Sequence, residues 1–138
     1  MFSLLLASCS QLPPAQRFFD RRSPINVVDA FKYAVEADQW EFAFDCITDE
    51  SRGDSSPYRL FALRLLKNED GIAYHDLIVK STRERPAYYR SANEATVDVF
   101  YEGENSEGTA VFVVLSVFLL RDPATDVWLI DLVSTFSR

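Results

Sequence analysis

The sequence predicts an α+β fold in which three N-terminal helices pack on one antiparallel sheet. Two observations lead to this prediction. Apolar residues recur at helical spacing over residues 24–52 and again over 57–67, whereas from about residue 73 onward they alternate with a period of two. Helical segments that precede a run of strands are typical of α+β proteins. The length of 138 residues accommodates one domain with its own core.

The first two predicted helices are separated by a short polar break. The first begins at Pro24, because Ser23 is a typical N-cap residue and proline suits the first helical position. Its polar residues, among them Asp29 and Lys32, are expected to face water. The apolar stripe of the first helix is Val27, Val28, Phe31, Ala34 and Val35, and that of the second is Trp40, Phe44 and Ile47, with Ala43 and Cys46 beside it.

A polar loop over residues 49–56 is expected to lead into the third helix. The pair Ser56-Pro57 repeats the helix-start signal, and Gly71 ends the helical stretch. The residues that this helix is expected to bury are Leu60, Phe61, Leu65 and Leu66.

Four strands are predicted after the helices. The first covers Leu77 to Lys80, and the second is an alternating segment from Ala95 to Glu102. A Gly-rich turn over residues 103–108 leads into a third strand, Thr109 to Leu120. After a turn that contains Pro123, the last strand is expected to place Trp128, Ile130, Leu132 and Phe136 on one face.

The third strand is apolar on both of its faces. One face is expected to cover the helices, and the other has to be hidden from water as well. The simplest cover is a second copy of the same sheet. The sequence therefore predicts a homodimer that forms through the outer face of the sheet.

Charge and composition exclude several classes of function. The net charge of −7 argues against nucleic acid as a partner, since phosphate contacts require clustered Lys and Arg. The longest uncharged apolar stretch, Ala110 to Leu120, is well short of the roughly 20 residues of a membrane-spanning helix. The sequence has no metal-type Cys and His spacing and no Gly-rich phosphate loop, so we expect no metal site and no cofactor.

The N-terminus resembles a bacterial lipoprotein signal. An apolar run ends in Leu6-Ala7-Ser8-Cys9, which is similar to a lipobox, and this resemblance implies that Cys9 carries the lipid. We expect residues 1–9 to be the signal segment, 10–22 a tether and 23–138 the folded domain. The alternative is an unprocessed apolar N-terminus, because no Lys or Arg precedes the run.

The resemblance also implies that the protein is located in the bacterial cell envelope, where its lipid anchors it to a membrane. Ser10 directly follows Cys9, and by similarity to Gram-negative lipoproteins the absence of Asp there implies the outer membrane in such an organism. Lipid on Cys9 leaves Cys46 without a disulfide partner. We expect Cys46 to be a packing residue, because no basic or His neighbour in the sequence would lower its pKa.

The domain resembles the nuclear transport factor 2-like (NTF2-like, cystatin-like fold) superfamily, which includes uncharacterised bacterial lipoproteins. The match covers about residues 24 to 137. It rests on Val27-Val28 with Phe31 and Ala34, on Asp38-Gln39-Trp40, on Ala95-Thr96-Val97 and on Trp128-Leu129-Ile130. The resemblance implies a cone in which a curved sheet wraps around the helices and leaves a pocket at its open end.

The resemblance does not supply catalytic residues. The ketosteroid isomerases of this superfamily use a Tyr on the first helix, and the matching position here is Phe31, which has no hydroxyl. Their general base is an Asp after the second helix, where Asp54 gives no clear match. The polar or aromatic residues that are candidates for lining the pocket are Tyr33, Trp40, His75, Tyr88, Asp98 and Asp131.

Three functions are compatible with these observations. The leading hypothesis is a non-catalytic envelope lipoprotein domain that binds a small apolar or amphipathic ligand, or a protein partner, in the cone pocket. The second is an enzyme of isomerase, cyclase or dehydratase type that uses Asp131 or His75 as its base. His75 and Asp76 are not expected to pair, because adjacent residues of a strand point to opposite faces. The third is an assembly module whose function is the dimer itself.

Overall fold

The computed structural model describes residues 20–53, 60 and 63–136, and it confirms the α+β class. N-terminal helices pack on an open antiparallel sheet of four strands in the order β1-β2-β3-β4. The described helices are α1 (Pro24–Glu36), α2 (Trp40–Asp45), α3 (Asp49–Arg52), α4 (Tyr74–Val79) and α5 (Leu132–Phe136), and the strands are β1 (Tyr88–Ser91), β2 (Glu94–Glu104), β3 (Ala110–Asp122) and β4 (Val127–Asp131). The lipobox and most of the tether lie outside the described residues.

The first two helices form as the sequence predicts. The Ser23 hydroxyl accepts a hydrogen bond from the Asn26 amide, and Pro24 occupies the first turn of α1. The helix ends where Asp38 takes a left-handed backbone conformation with φ of 58°. The Gln39 amide then donates to the Ala34 carbonyl at 2.8 Å, which closes the turn and sends the chain into α2.

The core lies between α1 and one face of the sheet, which we call the inner face. Leu119 of β3 pairs with Ile130 of β4, and both side chains are almost fully buried. Burial of each such aliphatic side chain stabilises the fold by about 1.5–3 kcal/mol. The other buried residues of this face are Ala95, Val97, Val99, Val117 and Trp128, and those of α1 are Val27, Val28, Ala30, Phe31, Ala34 and Val35.

The predicted first strand, Leu77 to Lys80, is wrong, because these residues belong to helix α4 and its C-cap. The Leu77 amide donates to the Ala73 carbonyl at 3.1 Å, which is a helical hydrogen bond. Leu77 packs against Tyr101, and Ile78 joins the main core. A four-residue apolar run fits either a strand or a buried helix face, and here tertiary packing selects the helix.

The segment between α2 and α4 also differs from the prediction. Short helix α3 lies within the expected polar loop, where the Thr48 hydroxyl caps it by accepting from the Ser51 amide at 3.2 Å. Residues 57–59, 61 and 62 of the predicted third helix lie outside the described residues, and the prediction for Phe61 lies outside them too. Leu60 is buried there, but Leu65 is 73% exposed and Leu66 is exposed too, so the expectation that these two are buried is wrong.

Strands β2 and β3 form a long hairpin, as predicted. Their register runs without interruption from Glu94 opposite Leu120 to Glu104 opposite Ala110. The turn is held by the Asn105 side-chain oxygen, which accepts from the amides of two later turn residues at 2.9 Å each. This uninterrupted register fixes which side chains of β3 face the helices.

The second side of β3 forms an outer apolar face. We define this face by Phe112, Val114, Phe118 and Leu120 of β3 together with Leu129 of β4. Within the described part of the chain, Phe112 is 60% exposed, Val114 47% and Leu120 41%. The strand is therefore apolar on both faces, as the sequence predicts, and the single chain leaves one of them largely open to solvent.

The last strand ends earlier than predicted. Beta pairing stops at Asp131, and residues Leu132–Phe136 form helix α5 instead of continuing the strand. The Thr135 hydroxyl donates to the Asp131 carbonyl at 2.7 Å and accepts from the Phe118 amide at 3.0 Å. The helix therefore takes over a backbone donor of β3 that a longer β4 would have paired.

Candidate functional site

A cavity of about 310 Å³ lies between α1, α4, α5 and the inner face of the sheet. All these elements contribute side chains to its wall, so the cavity depends on the whole fold. Its wall is mostly apolar, formed by Val28, Phe31, Ile78, Val99, Leu115, Val117, Ile130, Leu132 and Phe136.

The polar part of the lining forms a rim. Arg83 Nη2 lies 3.0 Å from Asp29 Oδ2, and each of these side chains is one-third exposed. Lys32 Nζ donates to the Ser81 carbonyl oxygen at 2.6 Å. The segment that carries Ser81 and Arg83 is anchored to the sheet, because Thr82 exchanges two 2.8 Å backbone hydrogen bonds with β2.

Phe136 separates this cavity from a second one. The second cavity, about 270 Å³, lies between α4, β3 and α5 and includes Asn68, Glu69 and Asp70 in its lining. Phe136 lines both cavities, and its ring stacks on that of Tyr74 with 4.2 Å between the centroids. This aromatic pair holds α5 against α4 and closes one end of the apolar cavity.

The six residues named from the sequence do not converge on one place. None of them is part of the 310 Å³ lining. Tyr33 is exposed on α1, and Trp40 is buried at the start of α2. Tyr88 is exposed at the edge strand β1, while Asp98 accepts from the Ser116 hydroxyl at 2.7 Å on the outer side of the sheet.

His75 and Asp76 are closer together than expected. Because they lie on helix α4 and not on a strand, His75 Nδ1 comes within 3.7 Å of Asp76 Oδ1. Asp76 Oδ1 also lies 3.6 Å from Lys80 Nζ. The Nε2 atom of His75 is buried without a hydrogen-bond partner in the described structure. Neither residue of the pair belongs to the lining of the apolar cavity.

Asp131 has a structural task. Its carboxylate accepts from the Ser134 amide at 3.0 Å and from the Ser134 hydroxyl at 2.8 Å. This is the pattern of a helix N-cap, and it satisfies a backbone donor at the start of α5. Both carboxylate oxygens are thus engaged at the point where β4 turns into α5, away from the cavity wall.

Sequence reasoning missed the rim residues. Asp29 and Lys32 lie three residues apart on α1 and were expected to face water, which is the usual place for charges on an amphipathic helix. Their partners Ser81 and Arg83 follow some fifty residues later in an irregular segment. No local pattern relates the two segments, so only the three-dimensional fold reveals the rim.

Cys46 is buried in the core, as predicted. Burial raises the pKa of its thiol from 9.0 to about 12. The nucleophilic thiolate is therefore scarce at neutral pH, which agrees with a packing role.

Two further classes of site are not seen in the described ranges. Residues 20–53, 60 and 63–136 contain no group of three or more His, Cys, Asp or Glu placed to hold a metal ion. In the same ranges, every helix is too short or too polar to cross a bilayer.

Comparison of the chain with protein-family models, with curated proteins and with solved structures gives no match.

We predict that Asp131→Ala lowers the free energy of unfolding by about 1 kcal/mol, because α5 loses its cap. Urea unfolding followed by circular dichroism measures this change. Asp131→Asn is the matched control, since its amide oxygen still accepts from the Ser134 amide. Equal stability of the alanine variant and the unchanged protein would contradict the capping role.

Proposed function

We propose that this chain is a non-catalytic domain that binds a small apolar or amphipathic ligand in the 310 Å³ cavity. The observation that supports the proposal most directly is the composition of the wall, to which three helices and the sheet contribute nine apolar side chains. The described polar residues of the lining are fewer: those of the rim together with Thr82 and Thr135. Small-molecule sites typically are concave, mostly apolar and about 300–1,000 Å³ in volume, with a small number of polar groups that orient the ligand. The alternative occupant of the cavity is a protein partner that inserts an apolar side chain.

The enzyme hypothesis has less support. A general base has to lie within hydrogen-bond reach of the proton that it removes. Of the two suggested bases, Asp131 is engaged as a helix cap and His75 lies on a part of α4 that does not line the cavity. We therefore propose binding and not proton transfer as the activity.

We further propose that the domain is a remote member of the NTF2-like superfamily, with a cone-shaped architecture. Helices that precede an antiparallel meander, and α1 packed across its inner face, support this relationship. A cavity between the helices and the sheet supports the relationship as well, because the resemblance implies a pocket in the cone.

We propose a lipid-anchored location in the bacterial cell envelope, in the outer membrane if the organism is Gram-negative. The lipobox-like sequence that ends at Cys9 supports this address. Residues 10–22 would then connect the lipid to the domain. At the end of this tether, the Arg21 carbonyl accepts from the Trp128 amide at 2.9 Å, so the chain is already attached to the sheet at that point.

The outer apolar face supports a dimer in addition to ligand binding. The four strands have 4, 11, 13 and 5 residues, and at about 3.3 Å per residue and 4.8 Å between strands the sheet offers roughly 500 Å². Two copies would then bury about 1,000 Å² in total, which is the lower limit for a specific interface. We therefore propose that a second copy of the chain covers this face; an assembly module, the third function considered from the sequence, would use the same surface.

Filling the cavity tests the binding proposal. We predict that Val117→Phe abolishes binding of octanol, used as a neutral apolar probe, because the larger ring occupies the space between the sheet and α1. Isothermal titration calorimetry measures the binding. Overpacking costs about 1–3 kcal/mol, so the fold of the variant has to be checked by thermal unfolding. Val133→Phe, the same substitution at an exposed position of α5, should bind octanol normally. If the unchanged protein binds neither octanol nor an amphipathic probe of the same chain length, the proposal is refuted.

A charge on the outer face tests the dimer. We predict that Phe112→Glu converts the dimer into a monomer, because the interface would bury an unpaired carboxylate. Sedimentation velocity reports the mass of each species. Leu65→Glu places the same charge at an exposed apolar position outside the sheet and should leave the dimer intact. A chain that is monomeric before any substitution would show that this face does not pair with itself.

Lipid attachment is tested on protein purified from its own host. We predict that mass spectrometry finds a diacylglyceryl group on Cys9 as the new N-terminal residue, and that Cys9→Ser leaves the protein in the soluble fraction. Cys46→Ser is the control for the other cysteine and should remain membrane-bound. Protein that retains Met1 and carries no lipid would contradict the proposed location.

A further inference from the structure

We infer that the ligand of the cavity is a small amphipathic anion, whose carboxylate is bound by Lys32 and Arg83 while its apolar body lies against the inner face of the sheet. This inference rests on the proposed binding function and adds the chemistry of the head group. The evidence for it is the set of charged residues in the lining, which are far apart in the sequence and come together only in the folded structure.

Among the described residues that line the cavity, the charged ones are two cations and one carboxylate. Lys32 and Arg83 contribute the positive charges and Asp29 the negative one, which leaves one positive charge in excess. The other described residues of the lining are uncharged. This excess contrasts with the net charge of −7 of the whole chain. A cavity with apolar, low-dielectric walls concentrates the field of such a charge, and therefore favours an anion over a cation.

The two cations have donors available for a carboxylate. The Lys32 ammonium has three N–H groups, and the Ser81 carbonyl takes one of them. The Arg83 guanidinium has five N–H groups, and its Nη2 atom contacts Asp29. Both segments are held by the fold, since Lys32 belongs to α1 and Arg83 follows a residue that is hydrogen-bonded to β2.

The remainder of the cavity fits an aliphatic chain. A cavity of about 310 Å³ lies at the lower end of the range for small-molecule sites, about 300–1,000 Å³, and therefore suits a short-chain ligand such as octanoate. The sheet side of the wall is formed by Val99, Leu115, Val117 and Ile130, which offer no hydrogen-bonding side chain to a second polar group. The arrangement therefore suits one anionic end and one apolar end.

Three probes of equal chain length separate the head group from the chain. Calorimetric titration with octanoate, octanol and octylamine at neutral pH should give octanoate at least about tenfold tighter binding than octanol, as expected for a hydrogen bond to a charged group. Octylamine should bind most weakly, because its ammonium meets the excess positive charge. If octanol binds and octanoate binds no more tightly, the inference fails while the binding proposal stands. If none of the three binds, both fail.

Two substitutions with opposite effects sharpen the test. Lys32→Met keeps the length of the side chain but removes its charge, and should weaken octanoate about tenfold while octanol binds as before. Asp29→Asn releases Arg83 from its ion pair and should tighten octanoate. Lys80→Met, at an exposed lysine outside the lining, is the matched control and should change neither. The inference would be overturned if the three variants and the unchanged protein bound octanoate with the same affinity. Retained octanol binding shows that each variant still forms the cavity.

Discussion

The structure depends on one strand that is apolar on both of its faces. Strand β3 is paired along eleven residues of β2, so its side chains alternate in a fixed way between the two sides of the sheet. On the inner side, Val117 and Leu119 complete the core beneath α1. On the outer side, Phe112 and Val114 remain exposed in the single chain. Both the cavity and the proposed dimer surface therefore follow from the same register, because a shift by one residue would exchange them.

The second determinant of the cavity is the point where the sheet stops. If β4 continued to Phe136, the inner face would be a wider groove, open at this end. The Asp131 cap instead turns the chain into α5, and the Thr135 hydroxyl satisfies the amide of Phe118 that is left without a strand partner. Helix α5 then brings Phe136 onto the ring of Tyr74 and closes one end. Asp131, which the sequence suggested as a catalytic base, therefore has a structural role as the cap of α5.

The sequence was informative wherever a pattern was long. Helix α1 and the β2–β3 hairpin could be predicted because each repeats its period over ten residues or more. The short run at Leu77 was predicted as a strand and is helical, because a four-residue apolar run fits either state and packing against Tyr101 favours the helix. The site was the least predictable part. Lys32 and Asp29 match the ordinary pattern of a solvated helix face, and only contacts with residues some fifty positions later place them at a cavity.

The geometry of β3 also sets how ligand binding and assembly can influence each other. Leu115 and Val117 line the cavity, while Val114 and Phe118 belong to the outer apolar face, so the two surfaces share a backbone but no side chain. Substitutions on one face therefore change one surface without altering the chemistry of the other. Any coupling between a ligand and a second copy of the chain has to pass through displacement of that backbone, which the eleven paired residues of β2 resist.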